Sequence, residues 1–239
     1  MSFTLSEIVP WGRSYDEYVG MFSLSNTDLK RRILGCGDGP ASFNSILTSQ
    51  GGSVVSIDPV YCFSADEIKK RIDETRGIVL DQTRKNREEF VWENISSVEE
   101  LGKIRMSAMS IFLEDFEKGR SEGRYLPGEL PHLTFRDDQF DLALCSHFLF
   151  LYSGQRSAQL HIDSIKEMCR VAGETRIFPL LELGSGQSRH LEPVMAALAF
   201  EHYQVEIRQV AYQFQKGGNE MMVVQSPADS MRRTSGKGE

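Results

Sequence analysis

The chain alternates short apolar runs with longer stretches in which apolar residues recur every three or four positions. Ile33-Leu34 is a short apolar strand that stops at Gly35-Cys36-Gly37-Asp38-Gly39. Pro40 opens a predicted helix over 41–50, closed by Gly51-Gly52, and a second strand over 53–57 ends on Asp58. Residues 124–126 make a short third strand. Residues 140–147 form a continuous apolar run with an acidic start, the pattern of a strand buried on both faces. A helix over 157–171, a fifth strand over 175–181 and a helix over 189–200 follow. Residues 204–214 and 220–225 read as two strands joined by Lys216-Gly217-Gly218-Asn219, a hairpin turn.

Three capping boxes mark further helix starts: Ser14 with Glu17, Ser64 with Glu67, and Ser97 with Glu100. The first opens a short helix whose apolar face carries Tyr15, Tyr18, Met21 and Phe22. The second leads to about Arg76, and residues 78–90 are mixed. The third opens a long helix, to about Gly119, with Leu101, Ala108, Met109, Phe112 and Phe116 at helical spacing. Residues 61–123 therefore form a helical insertion between strands two and three, far longer than an ordinary crossover. It is expected to cover a cleft, supply a substrate wall, or extend the scaffold.

The order strand, glycine-rich turn, helix, strand, acid over residues 29–58 has a chemical meaning. Gly35 allows the tight turn, and Gly37 and Gly39 lack the Cβ that would hold a ligand off the backbone. The following helix start offers free N–H groups. Asp58 lies about 20 residues past the turn, where a carboxylate can accept two ribose hydroxyls. The dinucleotide register Gly-x-Gly-x-x-Gly fails, because Pro40 stands at the third glycine.

Gly35-Cys36-Gly37-Asp38-Gly39 instead resembles motif I of class I S-adenosylmethionine-dependent methyltransferases, and the resemblance runs from about residue 31 to 225. It implies an α/β fold: a seven-stranded, mostly parallel Rossmann-like sheet with helices on both faces and an antiparallel C-terminal hairpin. It implies S-adenosylmethionine as cofactor, held by Gly35, Cys36, Gly37, Asp58 and Pro59. Gly128-Glu129-Leu130 resembles the family's adenine-binding segment, with Glu129 in the acid position. Ser146 and His147 end the fourth strand inside the cleft, and His147 is the candidate general base, with a pKa suited to neutrality. In many small-molecule members an N-terminal helix closes over the cofactor; residues 1–28 would do so here, and Arg13 would pair with the methionine carboxylate. The family usually carries an acid two positions before the first glycine, where this chain has Ile33. The expected activity is in-line methyl transfer to an unidentified small molecule. The alternatives are a non-catalytic S-adenosylmethionine-binding module and, less favoured by the glycine register, a nicotinamide-dependent oxidoreductase.

A second glycine cluster, Leu183-Gly184-Ser185-Gly186, has a local likeness to motif I, but too little chain follows it for a nucleotide fold. It reads as the loop after strand five.

Composition narrows the partners. The 239 residues are 40% apolar and 26% charged, with a net charge of −7, which argues against bulk electrostatic binding of nucleic acid. The four cysteines show no Cys-x-x-Cys spacing, so no metal site or disulfide framework is expected, and reduced thiols point to the cytoplasm. No membrane span and no signal-peptide pattern is found. Residues 1–227 read as one domain, monomeric or homodimeric, and 228–239 as a disordered tail.

Overall fold

The computed structural model describes residues 9–184 and 186–227. The expected tail at 228–239, the start of the N-terminal segment and Ser185 lie outside the described residues. Seven strands form a single sheet: β1 Arg32–Cys36, β2 Ser53–Ile57, β3 Tyr125–Leu126, β4 Leu142–Ser146, β5 Thr175–Phe178, β6 Gln204–Gln209 and β7 Glu220–Gln225. Their spatial order is β3-β2-β1-β4-β5-β7-β6. The first five run parallel, and β7 lies antiparallel between β5 and β6. This is the expected seven-stranded, mostly parallel Rossmann-like sheet with its antiparallel C-terminal hairpin. The strand order reverses between β1 and β4, and there the carboxyl ends of neighbouring strands leave a crevice.

Alternation along the buried strands sends successive side chains to two cores. Leu34, Cys36, Ala143 and Cys145 meet α5 (Ala158–Val171) and α6 (Leu191–Phe200) on one face. Ile33, Leu142 and Leu144 meet α1 (Tyr15–Met21) and α2 (Phe43–Ser49) on the other. The capping box of α1 is present in full, with Ser14 and Glu17 satisfying each other's backbone N–H.

The insertion consists of α3 (Ala65–Lys85) and α4 (Val98–Ser121). Its core joins Ile68 and Ile72 of α3, Met109, Phe112 and Phe116 of α4, and Tyr61 and Tyr125 beside β2 and β3. No helix among the described residues is long and apolar enough to cross a membrane.

Several boundaries differ from the sequence reading. Helix α2 begins at Phe43, not Ala41. Residues 40–42 are held instead by the N-terminal segment: the Ser42 N–H donates to the Arg13 carbonyl, and a Cβ on Gly12 would overlap the Pro40 carbonyl. Helix α3 continues nine residues beyond Arg76, because Val79 and Thr83 are buried on the side of Ile68 and Ile72. The Ser97 hydroxyl caps α4 as expected, but the Glu100 carboxylate reaches back to the Ser96 N–H, one residue early. Strand β5 stops at Phe178, since Pro179 has no N–H for the ladder. Strand β6 stops at Gln209 rather than near Phe214. The chain then turns to the insertion, where Phe90 bridges Gln215 and the Val91 N–H donates to the Phe214 carbonyl.

Candidate functional site

The crevice at the β1/β4 reversal opens into a cleft of about 380 Å³. Of the residues expected to hold a cofactor, Arg13, Gly37, Asp58, Pro59, Gly128, Glu129, Leu130 and Ser146 line it, together with His147. Gly35 and Cys36 do not. Cys36 is fully buried in the sheet core, and burial pushes its thiol well above its ordinary pKa, so its side chain is not part of the cleft surface. Above Gly35 lies the Asp38 carboxylate, in the space a Cβ would need.

The glycine turn is set by backbone conformation. Gly37 has φ +68° and Gly39 φ +52°, values that disfavour other residues. The Asp58 carboxylate closes the turn from below: its Oδ2 accepts the Gly39 N–H at 2.9 Å and its Oδ1 the Val60 N–H at 2.8 Å. Burial raises its pKa to about 6, against these two donors. Each oxygen retains a further lone pair for a hydroxyl donor.

Asp38 was not singled out by sequence as a site residue. Its Oδ1 accepts from the Tyr18 hydroxyl at 2.9 Å, and its Oδ2 accepts from the Ser56 hydroxyl at 2.6 Å. Burial raises it to about 6 as well, opposed by those two hydrogen bonds. Residues 33 and 35 point their Cβ positions to the same face of β1, one pleat apart. Asp38 therefore places a carboxylate on the face where Ile33 offers none, one step nearer the cleft.

His147 sits at the end of β4 with φ +52°, its N–H donating to the Phe178 carbonyl at 2.7 Å. Its Nδ1 lies 2.9 Å from the Ser146 hydroxyl, which orients the ring. Burial first, then Arg13 and Arg105, drive its pKa well below the usual histidine value. This corrects the expectation of a pKa suited to neutrality. The imidazole is neutral, able to accept a hydrogen bond but a weak base.

A second, smaller cavity of about 110 Å³ adjoins the cleft, sharing Trp11, Arg13, His147 and Tyr152 with it. Its far walls are the insertion, through Val79, Thr83, Leu101 and Arg105, and the segment after β6, through Tyr212, Phe214 and Gln215. Stacked Phe90 and Phe214, with centroids 4.9 Å apart, join the two walls. The insertion thus supplies the wall of a compartment beside the cleft, while Phe63 and Arg71 flank the cleft itself.

Behind this cavity lies a charge cluster. Glu17 accepts from the Tyr212 hydroxyl at 2.7 Å and pairs with Arg105, which is fully buried. Burial opposes its ionisation, but Arg105 and Arg13 hold its carboxyl down at about 2. Arg105 occupies the apolar stripe of α4, four residues after Leu101 and three before Ala108. An arginine at such a position was the one sequence signal that pointed to it.

Gly184 and Gly186 lie in the loop after β5, where Leu181 bridges Gln187. Neither glycine lines the cleft.

No protein-family model matches the chain. Among solved structures it is similar to the PH0226 protein from Pyrococcus horikoshii OT3, at 12% identity and TM-score 0.47, over 89% of this chain and 91% of that one. It is similar to magnesium protoporphyrin IX methyltransferase ChlM from Synechocystis PCC 6803 with bound SAM, at 10% identity and TM-score 0.46, over 89% and 77%. A SAM-dependent methyltransferase from Aquifex aeolicus gives 16% identity and TM-score 0.40, over 88% and 87%. In sequence, the chain is 31% identical over 223 residues to the uncharacterized protein MJ0045 of Methanocaldococcus jannaschii, covering 92% of this chain and 97% of that one. At that identity over nearly the full length of both, the chain belongs to the MJ0045 family.

Proposed function

We propose that the protein is an S-adenosylmethionine-dependent methyltransferase acting on a small molecule enclosed beside the cofactor. The observation that carries this reading is the pairing of Asp58 with the Gly37–Gly39 turn at the sheet's reversal point. The turn lines the cleft through Gly37 and Gly39, and the carboxylate retains acceptor capacity at the end of β2.

The residues present fit the cofactor group by group. Asp58 would take the ribose hydroxyls, and the segment Gly128-Glu129-Leu130 the adenine edge. Arg13 would take the carboxylate of the methionine moiety. Asp38 would take its ammonium, supplying from the loop what Ile33 cannot supply from the strand. When bound, the cofactor supplies an electrophilic methyl group on sulfur.

This chain's residues then have chiefly to position and enclose. The adjoining cavity holds an acceptor away from water, and the neutral His147 faces both spaces as a hydrogen-bond acceptor for its proton-bearing group. A turnover assay tests the proposal: purified protein with methyl-labelled S-adenosylmethionine and a metabolite extract should label a small molecule. S-adenosylhomocysteine binding without labelling in any extract would leave a binding module instead.

A further inference from the structure

We infer that the acceptor is a small anion, a carboxylate carried on an apolar or aromatic body, with its charged end at Arg105. This rests on the methyltransferase reading above and goes further, to the chemistry of the second ligand.

The smaller cavity is enclosed mostly by apolar and aromatic side chains, among them Trp11, Phe90, Phe178 and Phe214. Into that lining project two guanidinium groups, Arg13 and Arg105, against one nearby carboxylate, Glu17. A buried cation is costly unless it is paired and its donors are satisfied. Here the accounting is incomplete. Nε of Arg105 and Nε of Arg13 are both buried with no hydrogen-bond partner among the described residues. Arg105 uses Nη1 on Glu17, and Arg13 uses Nη1 on the Trp11 carbonyl. Burial first, then the neighbouring Arg105, lowers Arg13 to about 10, whereas Glu17 and Tyr212 hold Arg105 above its ordinary value against burial. The two unpartnered Nε donors leave one place for an anion at each guanidinium.

Two carboxylates could meet that demand: the cofactor's own and the acceptor's. Position separates them. Arg13 lines both the cleft and the cavity, so the cofactor can reach it. Arg105 lines the cavity and not the cleft. A carboxylate at Arg105 therefore belongs to the second ligand. The cavity of about 110 Å³ has the volume of about four waters at roughly 30 Å³ each, which suits a carboxylate with a short body better than a nucleotide or a peptide.

The test uses the full chain saturated with S-adenosylhomocysteine, so that the cofactor's carboxylate is already in place. Graded pairs of probes are titrated by calorimetry: acetate and acetamide, benzoate and benzamide, phenylacetate and phenylacetamide, with benzylamine as the cation. At least one carboxylate is expected to bind tenfold or more tightly than its amide, and benzylamine is not expected to bind. That preference should vanish in Arg105→Met. Should that variant fail to fold, the double variant Glu17→Gln with Arg105→Met removes the pair together and should lose the preference too. Amides equalling their carboxylates, no probe binding, or a preference that survives loss of Arg105 would each overturn the inference. So would a preference seen only without S-adenosylhomocysteine, since the anion would then be the cofactor's. Failure of S-adenosylhomocysteine to bind would strike the methyltransferase reading itself, a separate readout from the probe comparison.

Discussion

Asp38 folds its carboxylate over Gly35, filling the space that any larger residue at 35 would need. Glycine at 35 thus does more than turn the chain. It makes room for an acid that arrives from the loop, anchored by Tyr18 of α1 and Ser56 of β2. The contact couples the N-terminal segment, the glycine turn and the second strand in one small network.

Gly35→Ala should accordingly cost about 1–3 kcal/mol of stability by overpacking. It should also weaken S-adenosylhomocysteine binding more than 5′-methylthioadenosine binding, because the second ligand lacks the amino-acid moiety. Thermal melting and calorimetry on the two ligands check both parts; equal losses for the two ligands would detach Asp38 from the ammonium.

Asp38→Asn tests the same carboxylate without a steric change. The side chain carbonyl can still accept a hydrogen bond from Tyr18 or Ser56, so the fold should persist. Affinity for S-adenosylhomocysteine should fall by about 1.5–3 kcal/mol, the range for a hydrogen bond to a charged group, with 5′-methylthioadenosine little affected. Unequal loss is the expected result of paired titrations.

The raised pKa of Asp38 fixes the direction of a pH effect. Its carboxyl moves from 3.8 to about 6 on folding, driven by burial. The folded state then holds a proton that the unfolded state releases, so this contribution to stability is full below pH 4 and is lost as pH rises through 6. It amounts to about 2–3 kcal/mol. The difference in urea midpoint between wild type and Asp38→Asn, followed from pH 4 to 7 in the ligand-free protein, should show the wild type losing stability relative to the variant. A flat difference would contradict the shift.

Local signals made much of this molecule legible. The Ser14–Glu17 and Ser64–Glu67 boxes appear as read, and Gly37 and Asp58 both line the cleft. What sequence did not disclose depends on distant contacts. Gly77 and exposed Ile78 obscured the continuity of α3, whose stability comes from packing on α4. The pairing of Phe90–Val91 with Phe214–Gln215, which closes the smaller cavity, joins segments more than 120 residues apart. Ile33 read as a missing acid because nothing local says that Asp38 folds back onto its face of β1. His147 lines the cleft, yet its low pKa arises from burial and from two arginines on other elements.

The clasp between the insertion and the C-terminal segment gives a fourth expectation. Phe214→Ala should cost about 2–4 kcal/mol and should quicken amide exchange in the second half of α3 and at Phe90–Val91, leaving β1 and β4 protected. Uniform acceleration across the sheet would mean that the clasp is not a separable unit.

The most direct test of the central claim is calorimetric titration of S-adenosylhomocysteine into the wild type and Asp58→Ala, with melting temperatures recorded for both. The account predicts binding by the wild type and a loss of about 1.5–3 kcal/mol in a variant that still melts cooperatively. No binding by the wild type, or an unchanged dissociation constant in Asp58→Ala, would contradict it.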